Sequence, residues 1–156
     1  MLSFFSKSKR SKDIFTIGFY NVENLFDTVD DPKTFDDDFT TDGKKKWGNK
    51  RYKDKVKKLG SVISQLGKEQ SKHAPAIVGL VEVENAKVVS DLVNSSNLRS
   101  HHYGFVHYDS PDERGIDVAL WDNKQVVELL HSETFPVFLE DDEGNRDYTR
   151  DILKVS

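Results

Sequence analysis

Residues Ile77 to Asn85 read IVGLVEVEN, and this stretch decides the fold. It begins as a short apolar, β-branched run of the kind that fills a buried strand. It then places Glu82 and Glu84 two positions apart and stops at Asn85. Residues two apart on a strand share a face. Glu82 and Glu84 are therefore expected on one side, with Val81 and Val83 on the other. Two like charges that close repel each other, and an unpaired buried carboxylate is costly. Water, a basic side chain or a metal ion has to relieve the pair. The stretch thus reads as a core strand whose end belongs to a polar site.

Working outward, Ile14 to Val22 (IFTIGFYNV) reads as a second buried strand. A long polar stretch, Asp27 to Asn49, follows it, and loops of that length are usually functional or disordered. Tyr52, Val56, Leu59, Ile63 and Leu66 recur at helical spacing, with Asn49 able to cap the start and Gly67 suited to the end. Gly60 costs that helix about 1 kcal/mol relative to alanine. The Ala76–Val83 strand comes next. Asn85 then caps a second helix carrying Val88, Val89, Leu92 and Val93.

Beyond it the pattern is β. Strands are expected over Tyr103–Tyr108, Ile116–Trp121 and Val126–Leu130, the last two joined by a hairpin turn at Asp122–Gln125. Phe135–Leu139 reads as a short strand, Glu140–Asp147 as a turn and Tyr148–Val155 as a final strand. The order β-α-β-α followed by β predicts the α/β (α+β) class, a mixed sheet with helices on one face. One local echo stands out: NVEN (Asn21–Asn24) ends the first strand and EVEN (Glu82–Asn85) ends the next. If these strands are parallel neighbours, their polar ends lie on one edge, where open α/β sheets bind ligands. Asn21 and Glu82 then fall into one site.

The 156 residues suit one domain, and 11% aromatic content supplies core material despite 32% charged residues. A net charge of -4 argues against a nucleic-acid coat protein but not against an enzyme acting on phosphates. The absence of cysteine excludes disulfides, a thiolate nucleophile and cysteine zinc sites. No run reaches transmembrane length. The N-terminus, MLSFFSKSKRSKD, has its apolar residues before its basic ones, the reverse of a signal peptide. Residues 1–12 are therefore expected as a flexible basic tail, with a cytoplasmic location.

Each chemical candidate has a plainer counterpart. Glu82 reads either as a strand-end carboxylate reaching solvent or as a ligand for a hard cation such as magnesium. Asn21 either bridges backbone groups or orients a ligand or phosphate oxygen. The DDDFTTDG loop puts Asp38, Thr40, Asp42 and Gly43 on the EF-hand template, but Lys46 and Asn49 stand where further ligands belong. Lys44–Lys58 carries nine Lys or Arg with Trp47 and Tyr52 among them. It reads as a solvated helix face, or as a nucleic-acid contact. The five histidines show no metal-ligand spacing, and adjacent His101 and His102 would point to opposite faces of a strand.

Four stretches carry a resemblance: FYNVENLFD (Phe19–Asp27), PAIVGLVEVEN (Pro75–Asn85), SPDERGIDVALW (Ser110–Trp121) and YTRDILKV (Tyr148–Val155). Together they resemble the endonuclease/exonuclease/phosphatase family of deoxyribonucleases, abasic-site endonucleases, sphingomyelinases and inositol polyphosphate phosphatases. The resemblance implies an αββα four-layer sandwich that hydrolyses phosphate esters with Mg2+ or Mn2+. It implies Glu82 and Asn21 as catalytic and metal-site residues, Glu82 as the metal-binding carboxylate and Asn21 beside the metal and the scissile phosphate, and Arg114 as a substrate-binding residue. The family's later motifs, an Asp-x-Asn pair and a terminal Asp-His pair, have no counterpart here. Residues 13–156 are thus expected to form the N-terminal half of such a domain, a fragment that is inactive alone, self-associates, and takes the missing C-terminal half as partner. The alternative is a non-catalytic module that uses half the fold to bind a partner or nucleic acid.

Overall fold

A computed structural model describes residues 14–156, so the expected basic tail lies outside the described residues. The first strand, β1 (Ile17–Leu25), leads through a long loop with a short 3-10 turn at Asp37–Phe39 into helix α1 (Asn49–Ile63). Strand β2 (Ile77–Val83), helix α2 (Ala86–Val93) and strands β3 (Tyr103–His107) and β4 (Asp117–Asn123) follow. The chain ends with short strands β5 (Ser132–Phe135), β6 (Leu139–Glu140), β7 (Arg146–Asp147) and β8 (Ile152–Val155).

The main sheet has the order β1-β2-β4-β3. β1 and β2 are parallel, whereas β4 runs antiparallel to both β2 and β3. This is the mixed sheet expected from the element order. Alternate strand residues Val22, Val78, Leu80, Ala119 and Trp121 form one core with Val56, Leu59 and Ile63 of α1 and Val88, Val89 and Leu92 of α2. The helices thus cover one face. Tyr52 ties them together, its hydroxyl donating to Asp91 Oδ2 at 2.6 Å. Gly60 has a packing reason that offsets its helix cost: a Cβ there would lie 2.4 Å from Ser95 Oγ.

The opposite face is apolar and open among the described residues, with Ile17 77% and Phe19 71% exposed. Phe19 lies across Gly79, where a Cβ would come within 2.8 Å of the ring. The β5–β8 pair forms a separate small sheet, and the β6–β7 hairpin another. Asp141 closes that hairpin by accepting from the Glu143 and Asn145 amides. Among the described residues no helix is long and apolar enough to cross a membrane.

Four local expectations fail. The final strand is shorter than Tyr148–Val155, since β8 begins only at Ile152. Asn49 does not cap α1; it is the first helical residue, and Gly48 holds the cap position without a side-chain bond. The Val126–Leu130 strand does not form. β4 is a central strand with both edges taken by β2 and β3, so a hairpin return has no edge to join. The chain instead turns at Asn123, whose carbonyl accepts from Val126 N and Val127 N. Phe135–Leu139 is not one strand either, since β5 stops at Phe135 and β6 starts at Leu139. Pro136, between them, has no amide to donate to a ladder.

Candidate active site

The parallel pairing sets Asn21 opposite Val81 and so brings the ends of β1 and β2 side by side. Asn21 Nδ2 donates to Glu82 Oε1 at 2.9 Å, and Asn24 N donates to Glu82 Oε2 at 3.1 Å. Asn21 Oδ1 in turn accepts from Glu23 N at 2.7 Å. The two residues singled out from the NVEN/EVEN echo therefore meet directly.

The backbone around them is unusual. Glu82, Glu23 and Asn24 all have left-handed φ angles, of 68°, 54° and 61°. Such conformations are disfavoured for residues with a Cβ and gather at functional sites. At Glu82 the register with β4 shifts, and the simple alternation expected from the sequence breaks. Val81 lines the open-face cleft while Val83 is fully buried in the helix-side core. Glu82 lines that cleft, whereas Glu84 lines a different hollow. The shared face expected for the two carboxylates is thus lost to one bulge, which separates the charges.

The cleft beside Glu82 has a volume of about 810 Å³ and lies between the open sheet face and the segment Thr149–Leu153. That segment brings Arg150 and Asp151 to the same cleft. Asp151 Oδ1 is buried without a hydrogen-bond partner. Arg114 sits in the β3–β4 loop, gripped by buried Asp112: Nε donates to Oδ1 at 3.0 Å and Nη2 to Oδ2 at 2.7 Å. Arg150 Nε stands 3.8 Å from the same Asp112 Oδ2. One buried carboxylate thus grips Arg114 by two hydrogen bonds and attracts Arg150 as an ion pair without one. Arg114 is not among the cleft-lining residues, but its charge feels that of Glu82. The Asp112 bond, above all, raises the Arg114 pKa. Sequence reading gave Arg150 and Asp151 no role, because only the tertiary fold carries the final strand to Glu82.

Part of the basic run is structural. Lys55 Nζ donates to the carbonyls of Glu23 and Asn24, the residues that turn at the end of β1. Lys55 and Arg51 also lie over Trp47, at 5.5 and 5.8 Å from the ring. Burial lowers the Lys55 pKa, opposed by the charges of Glu23 and Glu82. Trp47 Nε1 donates to Phe26 O at 2.9 Å, pinning the long loop to the strand end. On the EF-hand template, Thr40 Oγ1 accepts from Gly43 N and so serves the loop's own turn.

Glu84 accepts from Asp27 N. Burial first, then the charges of Asp27, Asp36 and Asp31, push its carboxyl up to about 7. The folded pKa lies above the ordinary value of 4.5, so ionising Glu84 works against the fold. Its contribution to stability is full below 4.5 and is lost as pH rises through about 7. Glu84→Gln keeps an acceptor for Asp27 N and removes the charge. The variant is expected to gain melting temperature over wild type as pH rises across that window. A constant difference between pH 4 and 8 would contradict the assignment.

The sequence profile of the endonuclease/exonuclease/phosphatase family matches residues 16–156. No curated protein and no solved structure matches the chain.

Proposed function

Because the chain belongs to the endonuclease/exonuclease/phosphatase family, we propose that it carries the metal- and phosphate-binding part of a phosphoric ester hydrolase. In this reading residues 13–156 supply the N-terminal half of an αββα four-layer sandwich in a cytoplasmic protein. The open apolar face of the main sheet supports it, since each sheet of a sandwich buries one face against the other.

The observation that carries the proposal is the pairing of Asn21 with Glu82 at the mouth of an open cleft. The donor set is all oxygen, which fits Mg2+ or Mn2+. Glu82 would be the first ligand, with Asn21 beside it. When bound, such a cation neutralises phosphoryl charge and lowers the pKa of water. The chain's own residues do the rest. Asn21 holds the Glu82 carboxylate in place through Nδ2. Arg150 faces the cleft and binds phosphate oxygen, and Asp112 attracts it while fixing the direction of Arg114. Asp151 supplies a second carboxylate on the same cleft.

A second reading, a non-catalytic module that binds a partner or nucleic acid, is favoured by one observation. No histidine lines the Glu82 cleft among the described residues. Groups that protonate a leaving oxygen typically contribute about 10²–10⁴-fold in rate. The chain by itself is therefore expected to bind magnesium weakly at Glu82 and to leave phosphodiesters intact. Titration calorimetry should show Mg2+ binding that Glu82→Gln removes and Glu84→Gln largely spares. Equal loss in both variants would overturn the choice of Glu82. Magnesium-dependent turnover that vanishes in Glu82→Ala would instead establish a complete enzyme.

A further inference from the structure

A second group of ligating side chains lies away from the Glu82 cleft. β3 and β4 are antiparallel neighbours with His107 opposite Ala119. Asp117 is two residues from Ala119 and so stands diagonal to His107 on the same face. Asp109 follows just beyond the end of β3. One donor atom from each of the three lies within 4.8 Å of the others. None of the three lines the cleft that holds Glu82 and Asn21.

The histidine makes this more than an acidic cluster. Its side chain is only 2% exposed, and that of Asp117 6%. His107 Nε2 is buried without a hydrogen-bond partner, although Asp117 Oδ2 is 3.3 Å away. Leaving a buried polar atom unsatisfied costs about 1–3 kcal/mol, so such atoms call for a reason. A tetrahedral ion with bonds of about 2.0–2.1 Å sets its ligand atoms about 3.3–3.4 Å apart. The Nε2–Oδ2 separation is thus the edge of a coordination tetrahedron rather than a good hydrogen bond. Asp117 is already oriented for the task, because its Oδ1 accepts from Ser110 N at 2.9 Å and from Ser110 Oγ. Bonds of that kind to the outer oxygen steady a metal-binding carboxylate.

We propose that His107, Asp109 and Asp117 form a transition-metal site of the zinc class, separate from the magnesium site proposed at Glu82. An imidazole nitrogen in the set favours zinc over magnesium. Asp109, with its side chain 91% exposed and its Oδ1 3.9 Å from His107 Nδ1, the other ring nitrogen, is the entry side, and its free side chain turns toward the ion as the third ligand. Asp109 and Asp117 also line a hollow of about 650 Å³ together with Asp31, Glu84, Asp112 and Glu113. Lys33 is the one basic side chain in that lining, and a concavity dominated by one sign of charge concentrates counter-ions at its mouth. Three protein ligands leave a fourth position for water.

Co2+ is the probe, since a tetrahedral site with a nitrogen ligand gives it visible d–d absorption. The wild-type chain should show that band at one equivalent. Zn2+ should displace it and Mg2+ should not. Asp109→Ala changes an exposed side chain and should weaken binding by at least about tenfold, the lower end of what even an outer partner contributes. His107→Ala should abolish the band, with far-UV circular dichroism recording whether the fold survives. If it does not survive, Asp109→Ala decides alone. Glu82→Gln should leave the band intact. No band at one equivalent, or a band unchanged in Asp109→Ala, would overturn the site and leave His107 and Asp117 as a buried pair.

Discussion

Replacing Trp121 by alanine is expected to cost about 3–5 kcal/mol of folding stability, the range for removing a buried aromatic side chain. Trp121 is fully buried in the middle of β4, paired with Val78 on one side and Phe105 on the other. Its ring meets Tyr103 with centroids 5.6 Å apart. Native domains are stable by about 5–15 kcal/mol in all, so this one change takes a large part of the total. The indole nitrogen is buried without a hydrogen-bond partner, so the side chain stabilises through apolar contact alone. Trp121→Phe keeps much of that contact and removes the unpaired donor. It is expected to cost under about 1.5 kcal/mol. Urea unfolding of the two variants checks both numbers. A loss below about 1 kcal/mol for Trp121→Ala would mean that the core is not organised around β4.

The same strand shows why the sequence was legible in some places and not in others. Where a single element sets the outcome, pattern was enough. The IVGLV run had to be a buried strand, and Asn85 had to cap what followed; its Oδ1 accepts from Val88 N at 3.0 Å. Asn21 and Glu82 were also readable, because two parallel strands with the same polar ending converge in any sheet that pairs them. Where the outcome depends on who already occupies a neighbouring edge, pattern failed. Val126–Leu130 has strand-like composition, yet β2 and β3 had taken both sides of β4.

The side chains of the sites divide in the same way. The alternation that put Glu82 and Glu84 on one face was sound until a left-handed residue interrupted it, and no local signal marks Glu82 as that residue. Arg150 and Asp151 reach the cleft from a segment far along the chain. His107 and Asp117 meet only through the antiparallel register of β3 and β4. His107 and Asp109 stand two apart, as ligands on one strand face would, but the spacing alone could not supply the third residue.

Ile17→Lys together with Phe19→Lys is expected to weaken self-association of the chain by at least about 100-fold, or about 2.7 kcal/mol. Both residues lie on the open face of the main sheet, and β1 is an edge strand of that sheet. Val81, Val118 and Leu120 continue the same apolar surface into the cleft. Fully burying a large aliphatic or aromatic side chain contributes about 1.5–3 kcal/mol. Two such residues from each of two copies would contribute about 6–12 kcal/mol before the cost of association, which is of similar size. The balance favours a weak complex in the wild type and none in the double variant. Neither side chain belongs to the helix-side core, so the variant should unfold at a temperature close to that of the wild type. Sedimentation across a concentration series separates the cases. A wild-type chain that stays monomeric throughout would show that this face needs no partner, and would count against reading it as one half of a sandwich.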